Sequence, residues 1–487
     1  MLALVFGASF IVYFVSTEHL FATVEFPTGD EPYYLLIAHS LVHDGDFELS
    51  NNFANQDYRA FYPGELFPRH EAITPKPILV SKHSLGLPVL IAPAYALDGW
   101  HGAAHSLNLV GALLALNIFL LAYELSGRAR VAWIVWAALA FAAPLFTYAE
   151  LIFPEAPAAL LIVYAYRQLR RWQQTNAAQR LLTVLCLAYL PWLHARFLFV
   201  VFGLFVYVAY QFWRKYPPRA AGSLARALLL IAPLLVSAAL FVTYDLYVYD
   251  SPLPNYSDHS GTGSPTEILG ALFGIWLDQQ WGLLNHAPVY LLALGALIHF
   301  RFQISNLKSE IENLKAKIKN PLWLIALPYL VLVVQYRYWW GEWCPPARYL
   351  TPILPLLAAP LALAVANVRR ARFRLTLAIL CVLGWAVALA FAVDGRLMYN
   401  QPLGQSSLLV ALGGRIGADL TRFEPSYILM FLRLDDPTAW LVTQALLTLA
   451  WLLALGALAW FAFSPMKIAL TLRSKFPIMP TSSPQQE

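Results

Sequence analysis

Charged residues are scarce in this sequence. Only 13% of its 487 residues are Asp, Glu, Lys or Arg, whereas 59% are hydrophobic, and the mean hydropathy is +0.57. A water-soluble domain of this length would carry about a quarter charged residues, so the excess apolar surface needs lipid as its solvent. The apolar runs are continuous rather than alternating, as at 109–121 and 441–463, which favours membrane helices over barrel strands. The composition therefore predicts an all-α polytopic membrane protein.

Cysteine is also rare, and several familiar motifs are missing. The three cysteines, Cys186, Cys344 and Cys381, lack the spacing of a metal site or a redox pair, so neither a disulfide nor a zinc site is predicted. Neither a P-loop nor a Rossmann glycine fingerprint is present, which leaves a cytoplasmic nucleotide-sugar donor unsupported. No internal repeat is evident, which weakens a secondary-transporter fold. The first apolar run, 2–15, has no basic flank or clear cleavage site, so we expect a retained first span rather than a signal peptide.

The remaining sequence contains about twelve apolar segments near the ~20-residue length that crosses a bilayer. Basic loops stay in the cytoplasm, and 22 of the 33 Lys and Arg residues fall in the loops of one side together with only four of the 28 acids. Both termini are therefore predicted in the cytoplasm of a prokaryotic inner (plasma) membrane, and the net charge of +5 needs no nucleic-acid partner. The predicted spans are 2–23, 104–125, 131–149, 151–169, 180–193, 196–213, 226–246, 287–301, 321–337, 350–366, 373–393 and 438–463.

The longer loops fall on the opposite, extracytoplasmic side. The first of them carries amphipathic pieces such as 85–97, and loops rich in polar and aromatic residues on one face are where a site is usually built. We predict one transmembrane module over 1–400, a last span at 438–463 and a cytoplasmic tail at 464–487. The extracytoplasmic loops are predicted at about 24–103, 247–286, 338–349 and 394–437.

Residues 301–320 differ from their surroundings, because they are rich in Lys and Glu. Apolar residues repeat there at heptad spacing, over about two heptads, which is marginal for a free-standing coiled coil. The pattern favours an amphipathic cytoplasmic helix packed on its own protein, while self-association through 304–318 and an engineered insertion stay open. The repeating residues are Ile304, Leu307, Ile311, Leu314 and Ile318.

The sharpest polar motif is DEPYYL, residues 30–35, just outside the first span. Adjacent carboxylates at a membrane boundary are costly unless they pair, bind a cation or face water. A partly desolvated carboxylate can also serve as a general base. Asp30 could equally cap a helix that begins near Pro32, and the motif alone does not decide between chemistry and capping.

Further charged and aromatic residues are predicted on the same face, in the segments 82–88, 148–157, 191–197, 278–284 and 339–349. Structural alternatives exist for several of them: compensation of a helix N-terminus for Glu155, snorkelling to the interface for Arg196 and an aromatic belt for the tryptophans. Aromatic rings with acids and amides suit sugars, cations suit a phosphate, and apolar helices suit a lipid tail. The combination indicates a lipid-phosphate sugar at the membrane surface.

In their order along the chain, these motifs resemble the GT-C glycosyltransferases, a superfamily of membrane enzymes that use polyprenyl-phosphate sugars. The resemblance covers about residues 1–400, and it implies a GT-C-like bundle of about 12 helices with a long first extracytoplasmic loop. The heptad segment departs from the family pattern, and the sequence after residue 400 is too variable to compare. The strings that carry the resemblance are DEPYYL, HSLGLP, FPEAP, PWLHARF, DQQWGLL and PPARYL.

The resemblance also implies roles for individual residues. Asp30 matches the family's catalytic acid with Glu31 as its neighbour, and Glu150 or Glu155 matches a second acid that supports the site or a metal. A divalent cation, Mg²⁺ or Mn²⁺, at Asp30, Glu31 and Glu150 is left open. The candidates for the donor phosphate are Lys82, His83, His194, Arg196 and Arg348, and those for the sugar or the acceptor are Tyr33, Tyr34, Asp278, Gln279, Trp340 and Glu342.

The predicted function is therefore sugar transfer from a polyprenyl-phosphate donor to an acceptor hydroxyl outside the cytoplasm, with inversion and with Asp30 as general base. Lipid, glycan and protein acceptors all remain open. A transporter or flippase of a lipid-linked glycan would use the same surface, but it needs polar residues lining a path through several spans, and the spans contain few. A scaffold of a cell-envelope assembly, with the heptad segment as its contact, is the third hypothesis.

Overall fold

The computed structural model of the chain describes residues 1–68, 74–215, 223–252, 262–304, 322–400, 404–427 and 437–464. In these ranges the regular secondary structure is helical, and contacts of β type are isolated bridges such as the one between Thr262 and Tyr336. The predicted all-α fold is confirmed. Most of the heptad segment (305–321) and most of the tail (465–487) lie outside the described residues, so the predictions for both stay open.

The helices of the described ranges are numbered here in chain order, and short 3₁₀ turns connect several of them. They are α1 (Leu2–Thr23), α2 (Glu31–His43), α3 (Ser50–Asn55), α4 (Gly86–Ser126), α5 (Ala129–Ala140), α6 (Ala143–Tyr148), α7 (Glu155–Arg170), α8 (Ala177–Leu193), α9 (Leu198–Lys215), α10 (Ser223–Tyr249), α11 (Pro265–Leu277), α12 (Leu283–His286), α13 (Tyr290–Ile304), α14 (Leu322–Gln335), α15 (Ala358–Asn367), α16 (Ala371–Val393), α17 (Ser407–Ile416) and α18 (Pro437–Phe463).

Several helices have the length and composition of membrane spans. Five stretches of the described chain are long and apolar enough to cross a bilayer: α1, α4, residues 231–249 of α10, α16 and residues 441–463 of α18. Their outer faces expose large apolar side chains such as Leu240, Leu389 and Leu453, as helices in contact with lipid do. Each of the twelve predicted spans falls on one helix or on two consecutive helical pieces. The chain is a multi-pass membrane protein.

Helix α4 joins an interfacial piece to a membrane span. It is 41 residues long, and its backbone leaves helical geometry at Asp98 and Gly99, where Gly99 has a φ of +51°. The part before this kink is the amphipathic piece predicted at 85–97, and the part after it packs against α1, α5 and α7. Because of the kink, α4 connects the end of the first loop to the bundle as one continuous element.

The two ends of the bundle differ in charge. At one end, Arg167 pairs with Glu124 at 2.5 Å, and Arg128 donates to the carbonyl oxygen of Ala366 at 2.8 Å. These residues belong to the basic loops that the charge count assigns to the cytoplasm. The acidic pair at 30–31 and the loops at 150–155, 194–196 and 339–349 meet at the other end. The assignment of the first end to the cytoplasm stays a prediction.

Candidate functional site

Asp30 occupies the N-cap position of α2 but does not cap it. Its side chain makes no capping hydrogen bond, although Glu31 and Pro32 form the first turn as expected. Its Oδ2 instead accepts a hydrogen bond from Nη2 of Arg348 at 2.5 Å. The capping interpretation of Asp30 is therefore wrong, and the side chain is available to the site.

Arg348 donates hydrogen bonds to three different acceptors. In addition to Asp30, it donates from Nε to Oε1 of Glu155 at 3.1 Å and from Nη1 to the carbonyl oxygen of Gly341 at 3.2 Å. Its guanidinium lies 4.7 Å from the centre of the Phe153 ring, and only 8% of its side chain is exposed. A planar fork can satisfy three fixed acceptors at once, which a lysine ammonium cannot do in the same geometry.

Glu155 connects Arg348 to a second arginine. It is the first residue of α7, it is fully buried, and its Oε1 also accepts from Nη2 of Arg196 at 2.5 Å. Arg196 lies in the 3₁₀ turn between α8 and α9, with its guanidinium 4.7 Å from the centre of the Tyr349 ring. Arg196 therefore points inward, and the snorkelling interpretation does not describe it.

Asp30, Arg348, Glu155 and Arg196 form a row of alternating charges, which we call the ionic row. Its two acids and two bases cancel, and such pairing is what makes buried charges tolerable. Two of its buried polar atoms, Nε of Arg196 and Oε2 of Glu155, have no hydrogen-bond partner. An unused guanidinium N–H in a buried site fits an anionic oxygen, and an unused carboxylate oxygen fits a hydroxyl.

Two histidines lie against the ionic row. Nε2 of His83 is 4.0 Å from Oδ1 of Asp30, and the His83 ring is 4.6 Å from the ring of Tyr34 and 5.8 Å from that of Tyr33. Burial, with the nearby charges of Arg196 and Arg348, lowers the pKa of His194 well below its usual value. His194 is therefore neutral, and its Nδ1 accepts from the backbone N–H of Arg196 at 3.1 Å. The structure thus gathers most of the predicted phosphate-binding residues, with Lys82 partly exposed beside His83.

Glu31 has a different set of neighbours from Asp30. Its Oε1 accepts from the backbone N–H of Ile152 at 2.9 Å, and its Oε2 accepts from the N–H of Thr28 at 3.0 Å and from the Tyr399 hydroxyl at 3.2 Å. Burial raises the pKa of Glu31 to about 7, against the lowering effect of these three hydrogen bonds. Glu31 thus titrates near neutral pH. No sequence motif pointed to Tyr399.

Glu150 stands apart from the ionic row. It is buried, burial raises its pKa well above the usual value, and its Oε1 has no hydrogen-bond partner. Of the two acids that matched the second acid of the family, Glu155 is the one that shares a partner with Asp30. Within the described ranges, no three His, Cys, Asp or Glu side chains come together as metal ligands would. A divalent cation at Asp30, Glu31 and Glu150 stays an open prediction.

Asp278 and Gln279, predicted to contact the sugar or the acceptor, hold the chain together. Asp278 accepts from the backbone N–H groups of Trp281 at 3.1 Å and of Tyr427 at 2.7 Å. The side-chain amide of Gln279 donates to the carbonyl oxygens of Thr421 and Glu424, both at 3.2 Å. The DQQ motif therefore anchors the segment 404–427, and direct contact with a sugar stays a prediction.

The aromatic residues of the predicted belt are mostly internal. The ring centre of Trp340 lies 5.3 Å from that of Tyr338, 5.8 Å from that of Trp339 and 6.5 Å from that of Trp281. All three tryptophans are buried, whereas Trp343 is 48% exposed. An interfacial belt therefore does not describe this cluster.

The loop that carries Arg348 has an unusual backbone. Gly341, Glu342 and Ala347 have φ values of +83°, +58° and +56°, in the left-handed region that residues with a side chain seldom adopt. Gly29 also has a positive φ of +62°, and a Cβ on it would lie 2.4 Å from the carbonyl oxygen of Trp343. Strained residues of this kind cluster at functional sites, and here they lock the loop against the turn before Asp30.

No family model and no curated protein matches this sequence. Solved structures with a similar course of the chain include ArnT from Cupriavidus metallidurans bound to undecaprenyl phosphate, at 13% identity and a TM-score of 0.45, over 94% of this chain and 77% of that one. The same protein in the apo state has 14% identity and a TM-score of 0.47, over 94% and 76%. The oligosaccharyltransferase of Archaeoglobus fulgidus in the apo form has 13% identity and a TM-score of 0.41, over 80% and 56%. These similarities are distant, and the proposed function rests on the residues of the site.

Proposed function

We propose that this protein is a membrane glycosyltransferase that moves a sugar from a polyprenyl-phosphate donor to an acceptor hydroxyl at the extracytoplasmic surface. The observation that carries the proposal is the buried ionic row at the end of the bundle opposite the basic loops. The motifs that resemble the GT-C glycosyltransferases supply all four of its members. The sugar and the natural acceptor, whether lipid, glycan or protein, are left open.

The arginine end of the ionic row suits the donor phosphate. Nε of Arg196 is a buried N–H without a partner, and a phosphate oxygen would satisfy it. Arg348 lies beside it through their shared acceptor, Glu155. As the sugar leaves, negative charge develops on the phosphate oxygen, and preorganised guanidinium groups stabilise that charge best where water is excluded. His83 lies at the other end, with its Nε2 4.0 Å from Oδ1 of Asp30, where it can contact the rest of the head group, and Lys82 precedes it in the chain.

Asp30 suits the role of general base. Its contact with Arg348 keeps its carboxyl ionised, so it can accept a proton. A donor phosphate that draws Arg348 toward itself would weaken this contact and make Asp30 more basic. The acceptor oxygen then bonds to the anomeric carbon, its proton passes to Asp30, and the bond between that carbon and the phosphate oxygen breaks. Attack from the face opposite the phosphate inverts the anomeric centre.

Transfer from a synthetic donor tests this proposal. The protein in lipid nanodiscs is given polyprenyl-phosphate hexoses and pentoses with a labelled sugar, and the label that reaches octyl glucoside as acceptor is measured. Asp30→Asn should lower the rate by about 10²–10⁴-fold, the usual contribution of a general base. Asp44→Asn, at the opposite end of α2, is the control and should keep the rate. Full activity in a well-folded Asp30→Asn protein would overturn the proposed mechanism.

Reconstitution of the protein in liposomes separates transfer from transport. A flippase needs a polar path, yet the buried amides of α4 are already engaged: Asn108 donates to the Thr17 hydroxyl at 2.8 Å and to the Ala149 carbonyl at 2.9 Å, and Asn117 accepts from Arg167. A fluorescent lipid-linked sugar that crosses the bilayer of liposomes without chemical change would favour transport. Label recovered on the acceptor favours transfer.

A further inference from the structure

A cavity of about 780 Å³ lies next to the acidic pair, on the side of Glu31. We propose that it binds the acceptor, and that this acceptor is an uncharged amphiphile with a sugar-like head group and an apolar chain. That the bound amphiphile is the acceptor rests on the proposed function, whereas its binding to the cavity does not. The residues that line the cavity include Val24, Thr28, Trp343, Arg396, Tyr399 and Val410.

Two residues that line the cavity donate hydrogen bonds directly to the acidic pair. Thr28 and Tyr399 both line it, and both donate to the same oxygen of Glu31, at 3.0 and 3.2 Å. Gly29 follows Thr28 in the chain, and Asp30 comes next. A hydroxyl held against Tyr399 and Thr28 would therefore be close to the carboxylates that the reaction requires.

The lining of the cavity suits an uncharged sugar better than a second phosphate. Arg396 is its one basic residue among the described residues, and Asp394 binds its Nε at 2.8 Å and its Nη2 at 2.9 Å. Its one acid in the same ranges, Glu25, adds a negative charge that disfavours a phosphate. Hydroxyl groups of Thr28, Tyr399 and Ser407 offer donors and acceptors, and the half-exposed indole of Trp343 offers a flat apolar face. A mainly apolar pocket with a few convergent polar groups is typical of a small-ligand site.

The position of the cavity suits a ligand that arrives from the lipid. It begins at Thr23 and Val24, where α1 leaves the membrane, and it is bounded on another side by α17. Helix α17 exposes apolar side chains, with Val410 at 52% and Ile416 at 68%, as a helix lying in the membrane interface does. An alkyl chain could therefore run along Val24 and Val410 while the head group enters the cavity.

The wall formed by 399–400 and 404–411 is anchored rather than loosely packed. Oε1 of Gln280 accepts from the N–H of Gly404 at 2.9 Å, and its backbone carbonyl accepts from the side chain of Asn400 at 2.8 Å. Oε1 of Gln279 accepts from the N–H of Ser406 at 3.3 Å. The DQQ motif thus fixes this wall, which gives it a positioning role in binding of the acceptor.

Photolabelling with a defined probe tests the inference. The protein in nanodiscs is irradiated with octyl glucoside that carries a diazirine in its alkyl chain, and labelled peptides are identified by mass spectrometry. We expect saturable label in 23–28 and 405–411, displaced by excess octyl glucoside but not by octyl phosphocholine, which lacks a sugar. Ala411→Trp fills the cavity and should reduce this label several-fold, whereas Leu412→Trp, the next residue and not part of the lining, should retain it. Label that both amphiphiles displace equally, or that Ala411→Trp leaves unchanged, would overturn the proposal.

Kinetics connect the cavity to the reaction. In the transfer assay, Tyr399→Phe should raise the KM for octyl glucoside several-fold and leave the KM for the donor unchanged, because it removes the hydroxyl that links the cavity lining to Glu31 and leaves the ionic row intact. An unchanged KM for octyl glucoside would contradict the assignment. Saturable label without any transfer would reject the proposed function but keep the binding site, so the two failures are distinguishable.

Discussion

Removal of Arg348 should expose how strongly the ionic row depends on charge balance. Arg348→Met leaves Asp30 and Glu155 with one guanidinium between them, that of Arg196. Removing one partner of a buried ion pair typically costs about 3–5 kcal/mol, because it leaves a buried charge uncompensated. The side chains of Asp30 and Glu155 are 17% and 0% exposed, so water can relieve only the Asp30 side. We therefore expect a loss of about 3 kcal/mol, the low end of that range.

A second substitution should recover part of this loss. Asp30→Asn combined with Arg348→Met removes the surplus negative charge and leaves the contact of 2.5 Å between Glu155 and Arg196 intact. The double variant should therefore be more stable than Arg348→Met alone by about 1–3 kcal/mol, the usual range of coupling between residues in contact. It should remain inactive, because it lacks the proposed base.

Unfolding in SDS, followed by tryptophan fluorescence, measures these differences in mixed micelles. The matched control is the exposed pair of Arg422 and Asp419, whose side chains are 80% and 44% exposed. Arg422→Met should cost under about 1 kcal/mol, and Asp419→Asn should not rescue it. A double variant of Asp30 and Arg348 that loses as much as the sum of its two single variants would refute the charge-balance reasoning.

Four further predictions concern neighbouring parts of the site. Gly29→Ala should lower the rate of transfer by about tenfold or more, because the added Cβ would meet the carbonyl oxygen of Trp343. The control is Gly45→Ala, which is also at positive φ but has open space around it and should keep the rate. Equal losses in the two variants would contradict the contact. Because the pKa of Glu31 is raised to about 7, its carboxylate is lost as pH falls through that value, and the KM for octyl glucoside should rise there in the wild type but not in Glu31→Gln. Because the pKa of Glu31 is raised from the usual 4.5 to about 7 on folding, the folded state binds the proton more tightly than the unfolded state, so stability should fall as pH rises from about 4.5 to about 7 and level off above that. This slope should be absent in Glu31→Gln. Asp278→Ala should make the segment 404–427 more sensitive to trypsin and raise the KM for octyl glucoside alone; unchanged digestion would argue against the anchoring role.

The helices and the ends of the bundle could be predicted from the sequence, because a membrane span is indicated by composition alone. Local charge then separated the two ends, since basic loops such as the one at Arg128 resist translocation. The presence of the four members of the ionic row on one face was also predictable, because each of them belongs to a motif in a loop on the side opposite the basic loops. Their pairing was not predictable, because it depends on contacts between residues as far apart as Asp30 and Arg348.

Other features depend on packing that no local pattern encodes. Tyr399 contacts Glu31 although 368 positions separate them in the chain, and it lies in a segment without a motif. Glu150 and Glu155 are equally acidic in the sequence, and only the turn before α7 decides which of them joins the ionic row. An amide such as that of Gln279 can bind a sugar or a backbone carbonyl equally well, and the structure shows the second use.

The order of the two acids is itself open to a test. Consecutive residues at the start of a helix point in directions about 100° apart, so Asp30 faces Arg348 while Glu31 faces Tyr399 and the cavity. Exchanging them, as Asp30→Glu together with Glu31→Asp, keeps the charge and the composition. The shorter acid at position 31 could not reach both the N–H of Ile152 and the Tyr399 hydroxyl, and the longer acid at position 30 would crowd the guanidinium. We therefore expect the exchange to raise the KM for donor and acceptor together and to lower kcat, in a protein with normal SDS stability. Wild-type kinetics in the exchanged protein would show that a pair of negative charges suffices, and that the two carboxylates do not serve separate substrates.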